Sequence, residues 1–151
     1  MKFEIIKSRE IESREVRYFI SENSFDCHPS VNTDINIAMA YLNLGVDSED
    51  VYVKCFWGFS PRESWKEANL FVPTAVEGEL KLAEELDAGF TWRIDKNKKW
   101  ESYFDKKSGW YCIGNPRAEE GDGAVKVIKN LITVVDSTNS LKAVWVQLVF
   151  V

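Results

Sequence analysis

Histidine is almost missing from this sequence: His28 is the only one among 151 residues. A single imidazole leaves Ser-His-Asp catalysis one possible base, and no G-x-S-x-G elbow occurs anywhere in the chain. Glycine-rich phosphate loops are absent as well. Gly121-Asp122-Gly123-Ala124 lacks the Lys-Ser/Thr of a P-loop and the three-glycine dinucleotide fingerprint, and the Asp122 carboxylate would repel phosphate. Basic charge is also short: 19 Lys and Arg stand against 24 Asp and Glu, a net charge of −5. That balance argues against a nucleic-acid partner, which must be met by a basic face, and against an anionic membrane surface. No apolar run approaches the roughly 18 residues of a membrane helix. The longest, Ala143 to Val151, is strand-length and interrupted by Gln147. Glu4 and Lys7 break the first residues, so no secretory leader is expected and the cytoplasm is the expected compartment.

Chelating spacings are missing too. Cys27, Cys55 and Cys112 are odd in number, far apart, and form no C-x₂₋₄-C pair. They are expected neither as a disulfide framework nor as a zinc site, which fits a reducing compartment. Adjacent residues such as Cys27 and His28 rarely aim at one atom, so a Cys-His nucleophile pair is not expected either. Whether Cys27, His28, Cys55 and Cys112 converge in space is left open by spacing. Asp95-Lys96-Asn97 continues into Lys98-Lys99 and not into the further oxygens of a calcium loop. No cofactor or metal is expected, and no catalytic residue is assigned.

What the chain does have is aromatic mass: six Trp, five Tyr and nine Phe. Large rings fill cores and also anchor interfaces. Two stretches concentrate them, Phe56-Trp57-Gly58-Phe59 with Trp65 and Phe71, and Phe90 to Tyr111. In the second, Trp92, Trp100 and Trp110 are expected as cross-strand neighbours in a three-strand meander over 91–94, 100–104 and 110–113. In the first, Trp57 and Trp65 are the place to look for an exposed patch. Acidic residues cluster at Asp47, Glu49 and Asp50 and again at Glu119, Glu120 and Asp122. Glu84, Glu85 and Asp87 form a third group. Their spacing does not demonstrate paired catalytic carboxylates.

Periodicity gives the elements. Segments 3–7, 15–20, 51–57, 131–136 and 141–151 read as strands. Residues 21–32 read as a loop. Residues 34–44 fit a strand by alternation or a helix by face, with strand favoured because it would form a hairpin with 51–57. Residues 124–129 are ambiguous in the same way. Ser60-Pro61-Arg62-Glu63 carries a capping box and a first-turn proline, which predicts a short helix to Asn69. Thr74-Ala75-Val76-Glu77 opens a second, with Val76, Leu80, Ala83 and Leu86 as its buried stripe and Gly89 at its end. The expectation is one α+β domain over residues 1–151, mostly antiparallel sheet with one or two helices packed on one face.

The run Leu44-Gly45, Asp50-Val51-Tyr52-Val53-Lys54-Cys55 and Ser60-Pro61-Arg62-Glu63-Ser64-Trp65 resembles the hairpin-then-helix of small bacterial polymorphic-toxin immunity proteins. The resemblance covers the first half of the chain. It implies a non-enzymatic domain that binds and neutralises a protein. The acidic loops, with Asp47, Glu49, Asp50, Glu119, Glu120 and Asp122, would face a basic partner and speed its association. Trp57 and Trp65 would supply the contact. The alternatives are an aromatic platform for a ligand such as carbohydrate, and an enzyme whose residues meet only in the fold.

Overall fold

A computed structural model describes every residue except Arg9, Asp95 and Lys96. The turns expected over 8–14 and 95–99, with the Asp95-Lys96-Asn97 motif, therefore lie partly outside the described residues. The rest form fourteen strands and two single 3₁₀ turns, Ile20–Glu22 and Arg62–Ser64.

The strands are β1 (Phe3–Lys7), β2 (Glu15–Phe19), β3 (Ser24–His28), β4 (Ile35–Met39), β5 (Leu42–Val46), β6 (Val53–Phe59), β7 (Lys66–Glu67), β8 (Val76–Leu82), β9 (Thr91–Arg93), β10 (Ser102–Phe104), β11 (Trp110–Gly114), β12 (Gly123–Ile128), β13 (Leu131–Val135) and β14 (Leu141–Gln147). One sheet has eight strands in the order β1-β8-β12-β13-β14-β11-β10-β7, and the other has six in the order β2-β3-β6-β5-β4-β9. Neighbours pair antiparallel except at β7–β10, β8–β12 and β4–β9, which are parallel.

The α+β expectation is corrected: no α-helix occurs among the described residues; the first helix prediction falls on a single 3₁₀ turn, β7 and loop, and the second on β8 and loop. In β8 the positions that face inward are Gly78, Leu80 and Leu82, a period of two. Leu80 belongs to the helical stripe as well as to this one, which is why the sequence admits both. Gly78 decides between them. β1 runs so close that a Cβ there would collide with the Ile6 carbonyl oxygen, and the same glycine weakens a helix by about 1 kcal/mol. The other capping serine, Ser60, is drawn into the core. Its hydroxyl meets the Tyr111 hydroxyl at 3.1 Å and accepts the Trp65 indole N–H at 2.8 Å, so it caps nothing.

Two strand expectations also shift. Residues 34–44 are not one strand but β4 and the start of β5, turned at Ala40-Tyr41 with Ala40 at φ 54°. The stretch 21–32 read as a loop contains β3. The three-Trp ladder does not form, because β9 belongs to the six-stranded sheet and pairs with β4. Trp92 and Trp100 pack beside the main core, whereas Trp110 lies on the far face of the other sheet near Trp145, with ring centroids 6.5 Å apart.

The sheets pack face to face over one core. Val16, Tyr18, Phe25, Ile35, Ile37, Leu44 and Phe56 come from one side, and Leu80, Tyr111, Val125, Leu131 and Val144 from the other. Aromatic rings hold its centre: Phe25 lies 4.9 Å from Tyr111 and 4.9 Å from Tyr18, and Trp65 lies 5.0 Å from both tyrosines. Burial pushes the Tyr18 and Tyr111 phenols above the usual range. Offset and edge contacts of this kind add to the area term.

The open sides of the sandwich are stitched by backbone. The C-terminal residues lie along β2, with Tyr18 N–H donating to Val149 O and Val151 N–H to Tyr18 O. Buried Asn130 closes the same seam. Its amide accepts from Val16 N–H and donates to Val16 O and Gln147 O, all at 2.8 Å. On the opposite side Leu82 N–H donates to Val51 O.

Candidate functional site: an aromatic sheet face

Each sheet has an outer face, and the two are finished differently. The outer face of the eight-stranded sheet carries Cys112, Ile132, Val134, Ala143 and Trp145. Residues 68–75 cross it as a strap that buries them beneath Leu70. The strap is tied down by Ala68 N–H donating to Phe104 O at 3.1 Å and Leu70 N–H donating to the Asp105 carboxylate at 3.0 Å. That N–H, with those of Lys107 and Ser108, holds Asp105 below the usual carboxylate range.

On the six-stranded sheet, a register shift between Val53 and Cys55 of β6 lets both Val53 and Phe56 face inward, while Trp57 and Phe59 face outward. Register places Trp57 opposite Asn43 on β5 and Asn43 opposite Ala38 on β4. Phe59 N–H donates to the carbonyl of Tyr41 at the β4–β5 turn. The three rings therefore sit together, with Trp57 37% exposed, Phe59 49% and Tyr41 76%. The Trp57 indole N–H donates to Asn36 Oδ1 at 3.2 Å, which fixes the ring's orientation on the face. Gly58 makes this approach possible. Its φ is 131°, and a side chain there would collide with the Tyr41 carbonyl.

Polar groups frame the rings. Arg17 and Asp26 are opposite one another on β2 and β3, and Arg93 lies opposite Ala38 on β9. Arg17 reaches Glu15 at 3.5 Å while its Nε is buried without a hydrogen-bond partner. Five inter-strand steps make the face about 24 Å across.

The acidic turn with Asp47, Glu49 and Asp50 lies at the other end of β5 and β6 from Tyr41. Asp34 holds it, accepting from Ser48 N–H at 2.8 Å and from the Ser48 hydroxyl. Asp50 pairs with Lys54 at 2.7 Å. A cleft of about 430 Å³ opens beside the turn, lined by Glu49 and Asp50 together with Glu4, Glu84, Glu85 and Lys81.

The second acidic loop differs. Lys142, 3% exposed, sits under it and donates to Glu119 at 2.8 Å, to Asp122, and to Arg117 O at 2.6 Å. Glu119 and Asp122 thus share one buried ammonium within the fold, and Glu120 stays exposed. These three stand on the eight-stranded sheet, away from the aromatic face. Trp65 is partly buried and packs against the main core between Tyr18 and Tyr111. Of the expected contacts, Trp57, Asp47, Glu49 and Asp50 share one sheet. Tyr41, Phe59, Asn36 and Asn43 are additions. Trp57 and Phe59 are two residues apart and leave one face of a strand together, but Tyr41 gave no signal without the turn.

The cysteine reading is corrected as well. Cys27 and Cys55 form a disulfide between β3 and β6. Cys112 is free and buried, and its thiol is pushed well above the usual range by burial. His28 is exposed, so the four residues do not converge. Among the described residues no group of three or more His, Cys, Asp or Glu is placed to hold a metal ion. Among the described residues no helix is long and apolar enough to cross a membrane.

These features define a two-sheet, all-β domain with one covered and one bare outer face. No protein-family model and no curated protein matches the chain.

Proposed function

We propose that this is a non-enzymatic protein-binding domain that recognises its partner through the outer face of the six-stranded sheet. The observation that carries it is the joint exposure of Tyr41, Trp57 and Phe59 on one sheet face. Contiguous exposed aromatics are rare on monomers and mark contact sites. Trp and Tyr beside Arg is the composition of interface hot spots. A face of this width also suits a protein interface of about 800 Å² per partner. The acidic turn at the far end suits a partner whose basic patch lies beside an apolar one, with Asp47, Glu49 and Asp50 accelerating encounter. Neutralisation of a basic toxin in the cytoplasm, as in the immunity proteins, is the form of this function that the resemblance supports.

The test uses the purified product of the adjacent reading frame as probe. Binding is measured for the native chain, for Trp57→Ala, and for the Asp47→Asn/Glu49→Gln/Asp50→Asn triple variant. The expected result is an affinity loss of about tenfold or more for Trp57→Ala. The triple variant should show a slower, less salt-sensitive association. If that product binds all three alike or not at all, and a photo-crosslinker at Asn43 captures nothing beyond one at Glu67, the proposal fails. Quenching of Trp57 fluorescence by an oligosaccharide would move the face to the carbohydrate reading.

A further inference from the structure

The strands that carry Trp57 are joined in an unusual way. β2 pairs with β3 through five residue pairs and β5 with β6 through five. β3 and β6 share two, Ser24 with Phe59 and Phe25 with Gly58. Beyond Phe25 the ladder stops, and the Cys27–Cys55 disulfide joins the two strands instead. Cys55 Sγ lies 3.9 Å from the carboxylate of exposed Asp26. Asp26 precedes Cys27, and Trp57 is two residues beyond Cys55 on the same strand.

We propose that Cys27 and Cys55 are a thiol–disulfide switch that sets the shape and rigidity of the aromatic face. The proposal rests on reading that face as the binding surface. Two ladder pairs cost little to open, so the segment can expose its sulfurs by local opening although both are nearly buried. Cys112 does not compete, since it lies in the other sheet beneath the strap.

The oxidant is a small disulfide such as oxidised glutathione. One cysteine thiolate attacks a glutathione sulfur, breaking that S–S bond and releasing one glutathione thiolate. The second cysteine thiolate then attacks the protein sulfur of the mixed disulfide and releases the other. Cys27 and Cys55 together lose two electrons and two protons, and one disulfide becomes two glutathione thiols. With the bond formed, Asp26–His28 are held to Cys55–Trp57. With it reduced, the two strands are tied by their two ladder pairs, the Ser60 N–H to Asn23 O bond at one end and the Phe25–Phe56 ring contact.

Hydrogen exchange on the folded protein tests this without any partner. The chain is incubated with oxidised glutathione or with a phosphine reductant, and thiols are counted by alkylation and mass. Reduction is expected to speed exchange over residues 24–28 and 53–59 by about tenfold or more, leaving β13 and β14 unchanged. Acrylamide quenching that is lost in Trp57→Phe should rise in parallel. Cys27→Ser/Cys55→Ser should reproduce the reduced pattern in both conditions. Failure of the disulfide to form in the folded chain would overturn the switch. So would exchange that does not change on reduction, or that rises everywhere as in global unfolding. None of those outcomes touches the binding measurements on Trp57→Ala, so either reading can fail alone.

Discussion

Trp145 and Trp57 both point outward from the sheet that carries them, and only Trp57 meets solvent. Trp145 is 1% exposed beneath the strap of residues 68–75, whereas Trp57 is 37% exposed. The covered face is held by directional bonds from Asp105 and Phe104 to the strap. Among the described residues nothing equivalent crosses Trp57, Phe59 and Tyr41. The chain thus spends a segment on hiding one apolar face and leaves another bare, with Trp57 oriented by Asn36. A ring fixed in place and left wet is suited to contact and contributes little to the fold.

Substitutions can break that comparison. The largest effect is expected at Trp145→Ala, a loss of about 3–5 kcal/mol of stability in urea unfolding. Trp57→Ala should cost under about 1 kcal/mol while abolishing most partner affinity. Equal losses of stability at the two positions would erase the distinction. Next comes Asn130→Ala, which leaves the Val16 N–H and C=O without their partner. About 2–3 kcal/mol is expected from the unpaired buried groups, and a near-neutral result would show the β2 seam to be dispensable.

Acid should weaken the covered side. Asp105 is held below its ordinary range by the Leu70, Lys107 and Ser108 N–H groups. Glu101 is lowered to about 2 by hydrogen bonds from Lys66, Tyr103 and Lys99. A depressed carboxylate stabilises the folded form above its unfolded pKa, and that contribution is lost as pH falls through the folded value. Thermal stability should therefore decline from about pH 4.5 down towards pH 2. Asp105→Ala should lower Tm by about 3 °C at neutral pH and flatten part of the acid limb. An acid limb that keeps its full slope in Asp105→Ala would separate the strap from that carboxylate. The smallest effect belongs to Tyr41→Ser: within about 0.5 kcal/mol in stability, with a measurable drop in partner binding.

Much of the sheet was legible from short-range pattern. Strands at 3–7, 131–135 and 141–147 follow from β-branched and aromatic runs, because those residues fit a pleated, half-buried surface. Capping boxes misled where their serine had a better partner: Ser60 bonds to Tyr111 and Trp65, which are 51 and 5 residues away. At 76–82 the helical and strand patterns overlap on Leu80, and only the close approach of β1 at Gly78 separates them. The aromatic site was half legible. Trp57 was singled out by its neighbours in sequence. Trp65, singled out with it, turned inward, because five residues of 3₁₀ turn and extended chain rotated it onto Tyr18.

By itself the sequence determined the amount of aromatic and acidic material, the alternation that makes most of the strands, and the absence of local catalytic motifs. These are properties of composition and of residues within a few positions of one another. Tertiary structure decided which sheet each strand joined, which Trp was covered, that Lys142 paired with Glu119 and Asp122, and that Cys27 met Cys55. Each depends on contacts between residues far apart in the chain, and no local periodicity encodes which distant strand completes a face.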